Sequence, residues 1–283
     1  MIELGSPNDY EAEELMTQQP FGLEGQRIVV TGASSGIGAA AVEFLSAGGA
    51  AIVTMDRFPL PAHLVALSDQ HIIVDLSDPA SIDLAVAHLD GEIDALCNVA
   101  GVPGTADPVQ VVAVNILAVR HLTESLVDRI RTGGAIVNVA SIAGAQWMDN
   151  LAEVRGLLHT SSFEDGAAWA RDRPMDGARA YNFSKECVIV FTMTNCLRWW
   201  DRGIRVNSVS PGPVDTPILD DFRASMGHDR IEGAIAMVGR AGTPKDVAPA
   251  IAFLAGRAAP WVNGVNVVTD GGLLAAATAA VLA

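Results

Sequence analysis

Tyr181, Lys185 and Ser141 have side chains that can move a proton or hold a developing charge. Tyr181 and Lys185 are four residues apart, so on a helix they share one face. A free phenol has a pKa of about 10, and a nearby ammonium group lowers it. The pattern predicts a general acid/base at Tyr181, with Ser141 holding the substrate oxygen. Taken alone, the pair fits an amphipathic surface helix better, and Ser141 fits a turn or helix cap better.

A glycine-rich stretch near the start of the chain predicts a phosphate-binding loop. Gly32, Gly36 and Gly38 follow the apolar run Arg27–Thr31, and helical spacing begins at Gly36. A strand, a glycine turn and a helix N-terminus in this order leave amide N–H groups free for a pyrophosphate. We therefore expect a dinucleotide cofactor here, whereas a glycine-rich loop without these neighbours would indicate only a turn.

The next apolar run ends at an acidic residue, Asp56. A carboxylate at this place can accept hydrogen bonds from ribose hydroxyls and repels a 2′-phosphate, so it favours NAD over NADP. The neighbouring Arg57 argues the other way, because its guanidinium can pair with a 2′-phosphate. A solvated carboxylate at a strand end is the alternative without a ligand.

Seven short runs rich in Val and Ile alternate with stretches of helical spacing. Consecutive apolar positions are typical of parallel strands that helices cover on both faces. The predicted strands are Arg27–Thr31, Ala50–Met55, His71–Val74, Ile93–Cys97, Ala135–Val139, Arg205–Val209 and Val265–Val268. The predicted helices are Gly36–Ala47, Ser81–Leu89, Val111–Arg131, Tyr181–Trp200 and Pro244–Leu254. The alternation predicts an α/β fold: one Rossmann-type domain with a doubly wound, seven-stranded parallel sheet and helices on both faces.

Three stretches do not follow this alternation. Residues 1–22 are polar, acidic and aperiodic, which predicts a flexible N-terminal arm before a domain over 23–283. Residues 145–180 have no strand pattern and carry Trp147, Phe163 and Trp169, so we expect a helical insertion just before the Tyr181 helix. The tail after Gly272 is rich in alanine.

Composition excludes several kinds of partner. The net charge of −15 argues against nucleic acid and against an anionic membrane surface, because both need clustered Lys and Arg. No apolar run reaches the roughly 18 residues of a membrane helix. Three cysteines without metal-ligand spacing suit a reducing cytoplasm, and the scattered histidines predict a mechanism without a metal.

At this point the chain resembles the short-chain dehydrogenase/reductase family over nearly all of residues 23–272. The motifs that carry the resemblance fall in the order of the family. They are the loop Thr31–Gly38, Asp75, Asn98–Gly101, Asn115, Ser141, Tyr181 with Lys185, and Pro211–Gly212. Val99 departs from the pattern, since the family has a second Asn there.

The resemblance implies an NAD-dependent oxidoreductase that interconverts an alcohol and its aldehyde or ketone. It implies catalysis by Asn115, Ser141, Tyr181 and Lys185, with Asn115 holding a water that relays protons between Lys185 and solvent. It implies cofactor contacts from Gly32, Ser34, Ser35, Gly36, Ile37, Gly38, Asp56, Arg57, Asp75, Leu76, Asn98, Ala100, Gly101, Tyr181, Lys185, Pro211, Gly212, Val214 and Thr216.

Two features narrow the expected substrate. Residues 96–108 and the length of the insertion resemble family members that act on coniferyl alcohol or on 3α-hydroxysteroids. A bulky apolar or aromatic alcohol is therefore expected, with a steroid as the alternative. A nucleotide-binding protein without catalysis is the alternative of another class, and the intact set of Ser141, Tyr181 and Lys185 argues against it.

The remaining expectations concern the surface of the domain. Residues 218–239 predict a mobile lid whose apolar side chains face the substrate, or else an ordinary surface helix. The insertion is expected to cover the helices Val111–Arg131 and Tyr181–Trp200 and to wall the pocket rim. Because the family uses those helices to form tetramers, a homodimer through Val265–Val268 is the leading assembly, and a homotetramer is the alternative. The alanine-rich tail would then reach toward the partner subunit.

Overall fold

Seven parallel strands form the central layer of the protein. The computed structural model describes residues 21–282, and within them the strands are β1 (Arg27–Thr31), β2 (Ala51–Asp56), β3 (Gln70–Ile73), β4 (Ile93–Asn98), β5 (Ile130–Val139), β6 (Arg205–Pro211) and β7 (Asn266–Thr269). They pair in the order β3-β2-β1-β4-β5-β6-β7, and every pairing is parallel. The sequence prediction of a seven-stranded parallel sheet is confirmed.

Apolar residues on both faces account for the central strands. Every residue of β4 and β6 is buried, as expected for strands that helices cover on both sides. β5 begins at Ile130 rather than at the predicted Ala135, because Ile130 pairs with Ile93 before a shift in register. The polar segment between Ile130 and Ala135 hides this extension from an apolar pattern.

Helices pack on both faces of the sheet. Within residues 21–282 they are α1 (Gly36–Ala47), α2 (Ala62–Val65), α3 (Pro79–His88), α4 (Pro108–Val112), α5 (Ala118–Leu126), α6 (Leu151–Leu158), α7 (Phe163–Arg171), α8 (Gly177–Asn195), α9 (Leu219–Met226), α10 (His228–Val238), α11 (Pro244–Ala255) and α12 (Leu273–Leu282). On one face, α1 packs against α11. The opposite face carries α3, α5 and α8. Within the described residues, no helix is long and apolar enough to span a membrane.

The helical segment predicted over Val111–Arg131 is present, but it runs from Pro108 to Arg129 and is not α-helical throughout. The chain forms α4, then a π-helical turn over Ala113–Leu117, then α5 and a short 3₁₀ turn that ends at Arg129. Asn115 lies in the π turn, where its amide oxygen accepts the N–H of Val102 at 2.8 Å. Its amide nitrogen donates to the Val102 carbonyl at 3.0 Å. A side chain that binds main chain outside its own helix accompanies the change in helical register, and such π turns are frequent at functional sites.

The insertion contributes α6 and α7, and its helical character is confirmed. Trp169 of α7 stacks on Phe183 of α8, with the rings nearly parallel and their centroids 5.4 Å apart. Arg120 of α5 is buried, and its guanidinium donates to the carbonyls of Thr160 and Ser162 between the two inserted helices. The insertion therefore covers α5 and α8, as the sequence predicts.

Two further predictions concern the ends of the chain. The flexible arm predicted for residues 1–22 falls mainly on residues 1–20, which lie outside the described residues. Phe21 is described, and its ring lies 5.6 Å from that of Phe44 on α1. The tail after Gly272 is the helix α12, which contacts α10 of the same chain. The expectation that it reaches toward a partner subunit thus stays a prediction.

Candidate active site

A cavity of about 760 Å³ opens at the carboxyl ends of β1, β2, β4, β5 and β6. The strand order reverses between β1 and β4, and open parallel sheets bind their ligands at such a reversal. Each contributing strand ends in a loop that lines the cavity. The site is therefore formed by segments far apart in sequence that the parallel sheet brings together.

The glycine loop after β1 forms one wall. Gly32 has φ +67°, and a Cβ atom there would lie 2.7 Å from the Ala100 Cα. A Cβ at Gly38 would collide with the Gly32 carbonyl oxygen. Only glycine fits both positions, and the loop is thereby folded tightly against the start of α1, whose helical dipole favours an anion. The predicted contacts Gly32, Ser34, Ser35, Gly36, Ile37 and Gly38 all line the cavity.

Asp56 is held at the end of β2 by two main-chain amides. Its carboxylate accepts the N–H of Ser34 at 2.9 Å and that of Phe58 at 3.0 Å. The guanidinium of Arg57 lies over the Phe58 ring, 4.8 Å from the centroid. Asp56 and Arg57 both line the cavity, so the two residues with opposed preferences for a 2′-phosphate lie side by side.

Asp75 and Leu76 extend this wall from the end of β3. Hydrogen bonds from the hydroxyl and the amide of Ser77 hold the pKa of Asp75 below its usual value, and the charge of Arg57 adds to this effect. Asp75 therefore stays a carboxylate that can accept hydrogen bonds. Its position suits a hydrogen bond to the outer end of a bound nucleotide.

Ser141, Tyr181 and Lys185 meet at the inner end of the cavity. Ser141 follows β5, and its hydroxyl lies near that of Tyr181, where it lowers the pKa of the phenol. The same hydroxyl accepts the N–H of Ala143 at 3.1 Å. Lys185 lies one turn along α8 from Tyr181, with its Nζ 5.7 Å from the centre of the phenol ring. The same Nζ donates to the Val139 carbonyl at 2.8 Å. The structure thus brings the three predicted residues together.

Burial changes the acidity of both titratable groups. It raises the pKa of Tyr181 to about 12, partly offset by the Ser141 hydroxyl. It lowers the pKa of Lys185 from 10.5 to about 8. Both shifts follow from the cost of holding a charged form away from water. Without a ligand, Tyr181 is therefore a neutral phenol at neutral pH, and Lys185 is still mostly charged.

Asn115 lies behind the site and does not line the cavity. Besides its two bonds to Val102, its amide donates to the Ser184 hydroxyl at 3.1 Å. Its Oδ1 and the Lys185 Nζ converge on Gly101, at 3.3 and 3.5 Å from where a Cβ would stand. The Asn115 side chain therefore helps to position the backbone next to the Lys185 ammonium group. The proton relay that the resemblance implies stays a proposal.

Asn98, a predicted cofactor contact, does not line the cavity. It is buried, and its amide donates to Thr123 at 3.1 Å and to Asn138 at 2.9 Å. This hydrogen bonding holds β4, β5 and α5 together in the core. Ala100 and Gly101 do line the cavity, and so does Val99.

The segment after β6 closes the side of the cavity next to the glycine loop. Pro211, Gly212, Val214 and Thr216 all line it, as predicted. A Cβ at Gly212 would lie 2.9 Å from the Asp270 Cβ, so glycine is needed where this turn passes the end of β7. The Thr216 methyl group lies 3.3 Å from the place of a Cβ on Gly36, which joins the two walls.

The outer wall comes from α9, α10 and α12. The predicted lid residues Ile218, Leu219, Phe222 and Met226 line the cavity, and the Phe222 ring meets the Tyr181 ring edge-on at 4.9 Å. Sequence reasoning missed other lining residues, among them Gln110, Gln146, Asn182, Arg230, Leu273, Leu274 and Ala277. The last three belong to the alanine-rich tail, whose helical spacing is a signal for α12 but not for where it packs.

The inserted helices do not wall the cavity, which corrects that part of the prediction. Of residues 145–180, only Ala145 and Gln146 reach the lining. Trp147 and Trp169 instead pack against the core cluster of the α5 and α8 face, and Phe163 is buried in it. Their large apolar surfaces are therefore used for packing, and the outer wall of the cavity comes from α9, α10 and α12.

The lining suits a nicotinamide dinucleotide. The glycine cradle beside the N-terminus of α1 can take a pyrophosphate, and Asp56 and Asp75 offer acceptors for an adenosine. Ser141, Tyr181 and Lys185 at the other end can hold an alcohol oxygen and transfer its proton. Among residues 21–282, no three His, Cys, Asp or Glu side chains are placed to hold a metal ion together.

Comparison with family models matches both halves of the chain. The model described as short chain dehydrogenase matches residues 26–152. The model described as Enoyl-(Acyl carrier protein) reductase matches residues 167–274. The first match ends within α6 and the second begins within α7, so the gap between the two models, residues 153–166, lies inside the insertion.

Individual relatives agree with the family models. Coniferyl-alcohol dehydrogenase from Pseudomonas sp. (strain HR199 / DSM 7063) is 40% identical over 252 residues, which cover 89% of this chain and 97% of the relative. The crystal structure of 3-alpha-hydroxysteroid dehydrogenase from Pseudomonas sp. B-0831, complexed with NADH, superposes with a TM-score of 0.78 at 33% identity. That match covers 89% of this chain and 98% of the other.

A third relative carries the other nicotinamide cofactor. The crystal structure of a putative 2-deoxy-d-gluconate 3-dehydrogenase from Agrobacterium tumefaciens, with bound NADP, has a TM-score of 0.70 and 27% identity. It covers 90% of this chain and 99% of its own. The fold therefore accepts either cofactor, and the choice depends on local residues.

Proposed function

The chain belongs to the short-chain dehydrogenase/reductase family, and on that premise we propose that it interconverts a bulky aromatic or apolar alcohol and its carbonyl compound with NAD(H). Its membership makes it an oxidoreductase that acts on alcohols. The observation that carries the proposal is the position of Ser141, Tyr181 and Lys185 at the base of a cavity with a mainly apolar outer wall.

A nicotinamide dinucleotide bound in this cavity would supply hydride transfer to or from the carbinol carbon of the substrate. One proton on the alcohol oxygen is left for the protein to move. Ser141 holds that oxygen through its hydroxyl, and the Tyr181 phenolate takes the proton during oxidation and returns it during reduction. Because Phe222 packs against the Tyr181 ring, this exchange happens in a place with little bulk water.

Tyr181 needs strong electrostatic help to act as a base. Its pKa of about 12 would have to fall by about five units for action near neutral pH, which corresponds to about 7 kcal/mol. The Lys185 ammonium supplies part of this, because it lies close to the ring inside the protein. The positive charge of a bound oxidised nicotinamide would add to the effect of Lys185 and favour the phenolate further.

Asp56 supports NAD over NADP. Its carboxylate is fixed by the amides of Ser34 and Phe58, so a 2′-phosphate would have to approach a negative charge that cannot turn away. Arg57 offsets this repulsion only in part, since its guanidinium is packed on the Phe58 ring.

Replacement of Asp56 tests the cofactor preference. In Asp56→Asn, the side chain loses its charge and keeps one acceptor oxygen, so it can accept only one of the two amide N–H groups. We expect the ratio of kcat/KM for NAD to that for NADP to fall about tenfold or more, or about 1.4 kcal/mol. Asp201→Ala changes the charge on an exposed turn and should leave the ratio unchanged. An NADP preference in the wild-type enzyme would contradict the proposal.

A panel of alcohols tests the substrate class. It should contain coniferyl alcohol, other benzylic and allylic alcohols, and 3α-hydroxysteroids, each assayed by absorbance of the reduced nicotinamide. We expect the highest kcat/KM among the aromatic alcohols, in line with the 40% identity to a coniferyl-alcohol dehydrogenase. Higher values for the steroids would favour the activity named for the structural relative.

The homodimer expected from the sequence stays a prediction. β7 is an edge strand, and apolar side chains near it are exposed, including Trp261 at 86% and Val268 at 40%. The inserted helices occupy the α5 and α8 face. Light scattering should show a dimer, and a tetramer packed through α5 would contradict the blocking role of the insertion.

A further inference from the structure

The substrate side of the cavity carries one charged side chain that the proposed mechanism does not use. Of the charged residues that line the cavity, Asp56, Arg57 and Asp75 lie at the cofactor end, and Lys185 acts with Tyr181. Among the described residues, only Arg230 remains. It belongs to the first turn of α10, next to the lining residues Ile231 and Ala234.

Arg230 has no ionic partner within residues 21–282. It is exposed, and no hydrogen bond or salt bridge joins its guanidinium to another described residue. Arg223, on the neighbouring lid helix α9, is different, because it donates to Asp220 at 2.7 Å and to Glu232 at 2.8 Å. Thus Asp220 and Glu232 are paired with Arg223. Arg230 lines the cavity without such a partner.

The wall around Arg230 is apolar. Met226, Ile231, Leu273 and Leu274 come from α9, α10 and α12 and line the same part of the cavity as the lid. No carboxylate lines this side within the described residues, although the whole chain has a net charge of −15. A lone guanidinium in such a wall attracts oxyanions and binds them with directed, often paired, hydrogen bonds.

We propose that Arg230 selects substrates that carry an acidic oxygen, a phenol or a carboxylate, at the end remote from the reacting carbinol. This inference rests on the proposed function, since it assigns a specificity role within the same cavity. The apolar wall then contacts the body of the substrate, and Arg230 binds its polar end at the lid.

Two matched pairs of alcohols test this role. The first is 4-(hydroxymethyl)benzoate and its methyl ester, and the second is coniferyl alcohol and its 4-O-methyl ether. Each is assayed with the wild-type enzyme, Arg230→Gln and Arg230→Lys. We expect Arg230→Gln to lower kcat/KM for the acidic member about fivefold, the size of an exposed ionic contact at its upper end. The neutral member should change little.

The remaining arms separate this inference from its alternatives. Arg230→Lys should restore part of the kcat/KM lost in Arg230→Gln, because lysine keeps the positive charge and lacks only the paired N–H donors of the guanidinium. A loss confined to the first pair identifies a carboxylate, and one confined to the second pair identifies a phenol; both support the proposal. Arg171→Gln removes an exposed charge from the insertion and should change neither ratio.

Equal losses for acidic and neutral members would overturn the inference. So would a rise in the KM for NAD alone, which would place Arg230 at the cofactor. The proposed function is read separately, from turnover of the neutral alcohols by the wild-type enzyme. If none is oxidised with either nicotinamide, the function fails whatever Arg230 does.

Discussion

Lys185→Met should move the pH profile of alcohol oxidation upward. In the structure the Lys185 Nζ lies 5.7 Å from the centre of the Tyr181 ring. With an effective dielectric constant of about 20, a unit charge at that distance contributes about 3 kcal/mol, or about two pKa units. Methionine keeps most of the volume and removes the charge, so the phenolate would form about two units higher.

At neutral pH this shift should lower kcat/KM about 100-fold, because only the phenolate accepts the proton. The measurement is the initial rate of nicotinamide reduction from neutral to alkaline pH, with cofactor binding followed separately by fluorescence. Lys245→Met is the matched control, since Lys245 is the other lysine of the chain and is exposed. A Lys185→Met enzyme with an unmoved midpoint and wild-type turnover would refute the electrostatic role.

Three further outcomes follow from the same structure. Tyr181→Phe should lower kcat by about 100-fold or more while fluorescence still reports cofactor binding; near-normal turnover would mean that another group moves the proton. Trp169→Ala removes the ring stacked on Phe183 and should reduce the free energy of unfolding by about 3 kcal/mol without altering substrate selectivity, because Trp169 does not line the cavity. Stability of the cofactor-free protein should carry a contribution from Lys185 that rises with pH between about 8 and 10.5, since in that window the unfolded lysine binds more protons than the folded one. Denaturant unfolding of the wild type and Lys185→Met should differ by this slope, and parallel curves would show that Lys185 is not desolvated.

Periodicity and local motifs were enough to place most elements. The limits of β1 and α1 are those predicted, because a buried apolar run, a glycine turn and a helical spacing are all local signals. The same holds for Tyr181 and Lys185, whose shared face follows from their spacing on one helix. In a parallel sheet, the loops after the strands must meet at one edge, so Ser141 and Asp56 could also be assigned to the site.

The sequence did not predict which side chains would form hydrogen bonds with each other. The motif around Asn98 predicts a cofactor contact, yet its amide donates hydrogen bonds to Thr123 and Asn138 in the core. The π turn at Asn115 depends on Val102, which precedes it by more than ten residues. Such contacts depend on which strands and helices become neighbours, and an isolated pattern does not carry that information.

The sequence by itself determined the sheet, the glycine cradle and the three residues of the proposed proton transfer. The tertiary structure alone decided what lines the outer part of the cavity. The insertion has the aromatic residues that suggest a pocket wall, but they pack on the helical face of the core, where burial removes their apolar surface from water. The outer wall is then left to α9, α10 and α12, where Arg230 and Leu273 come together from separate parts of the chain.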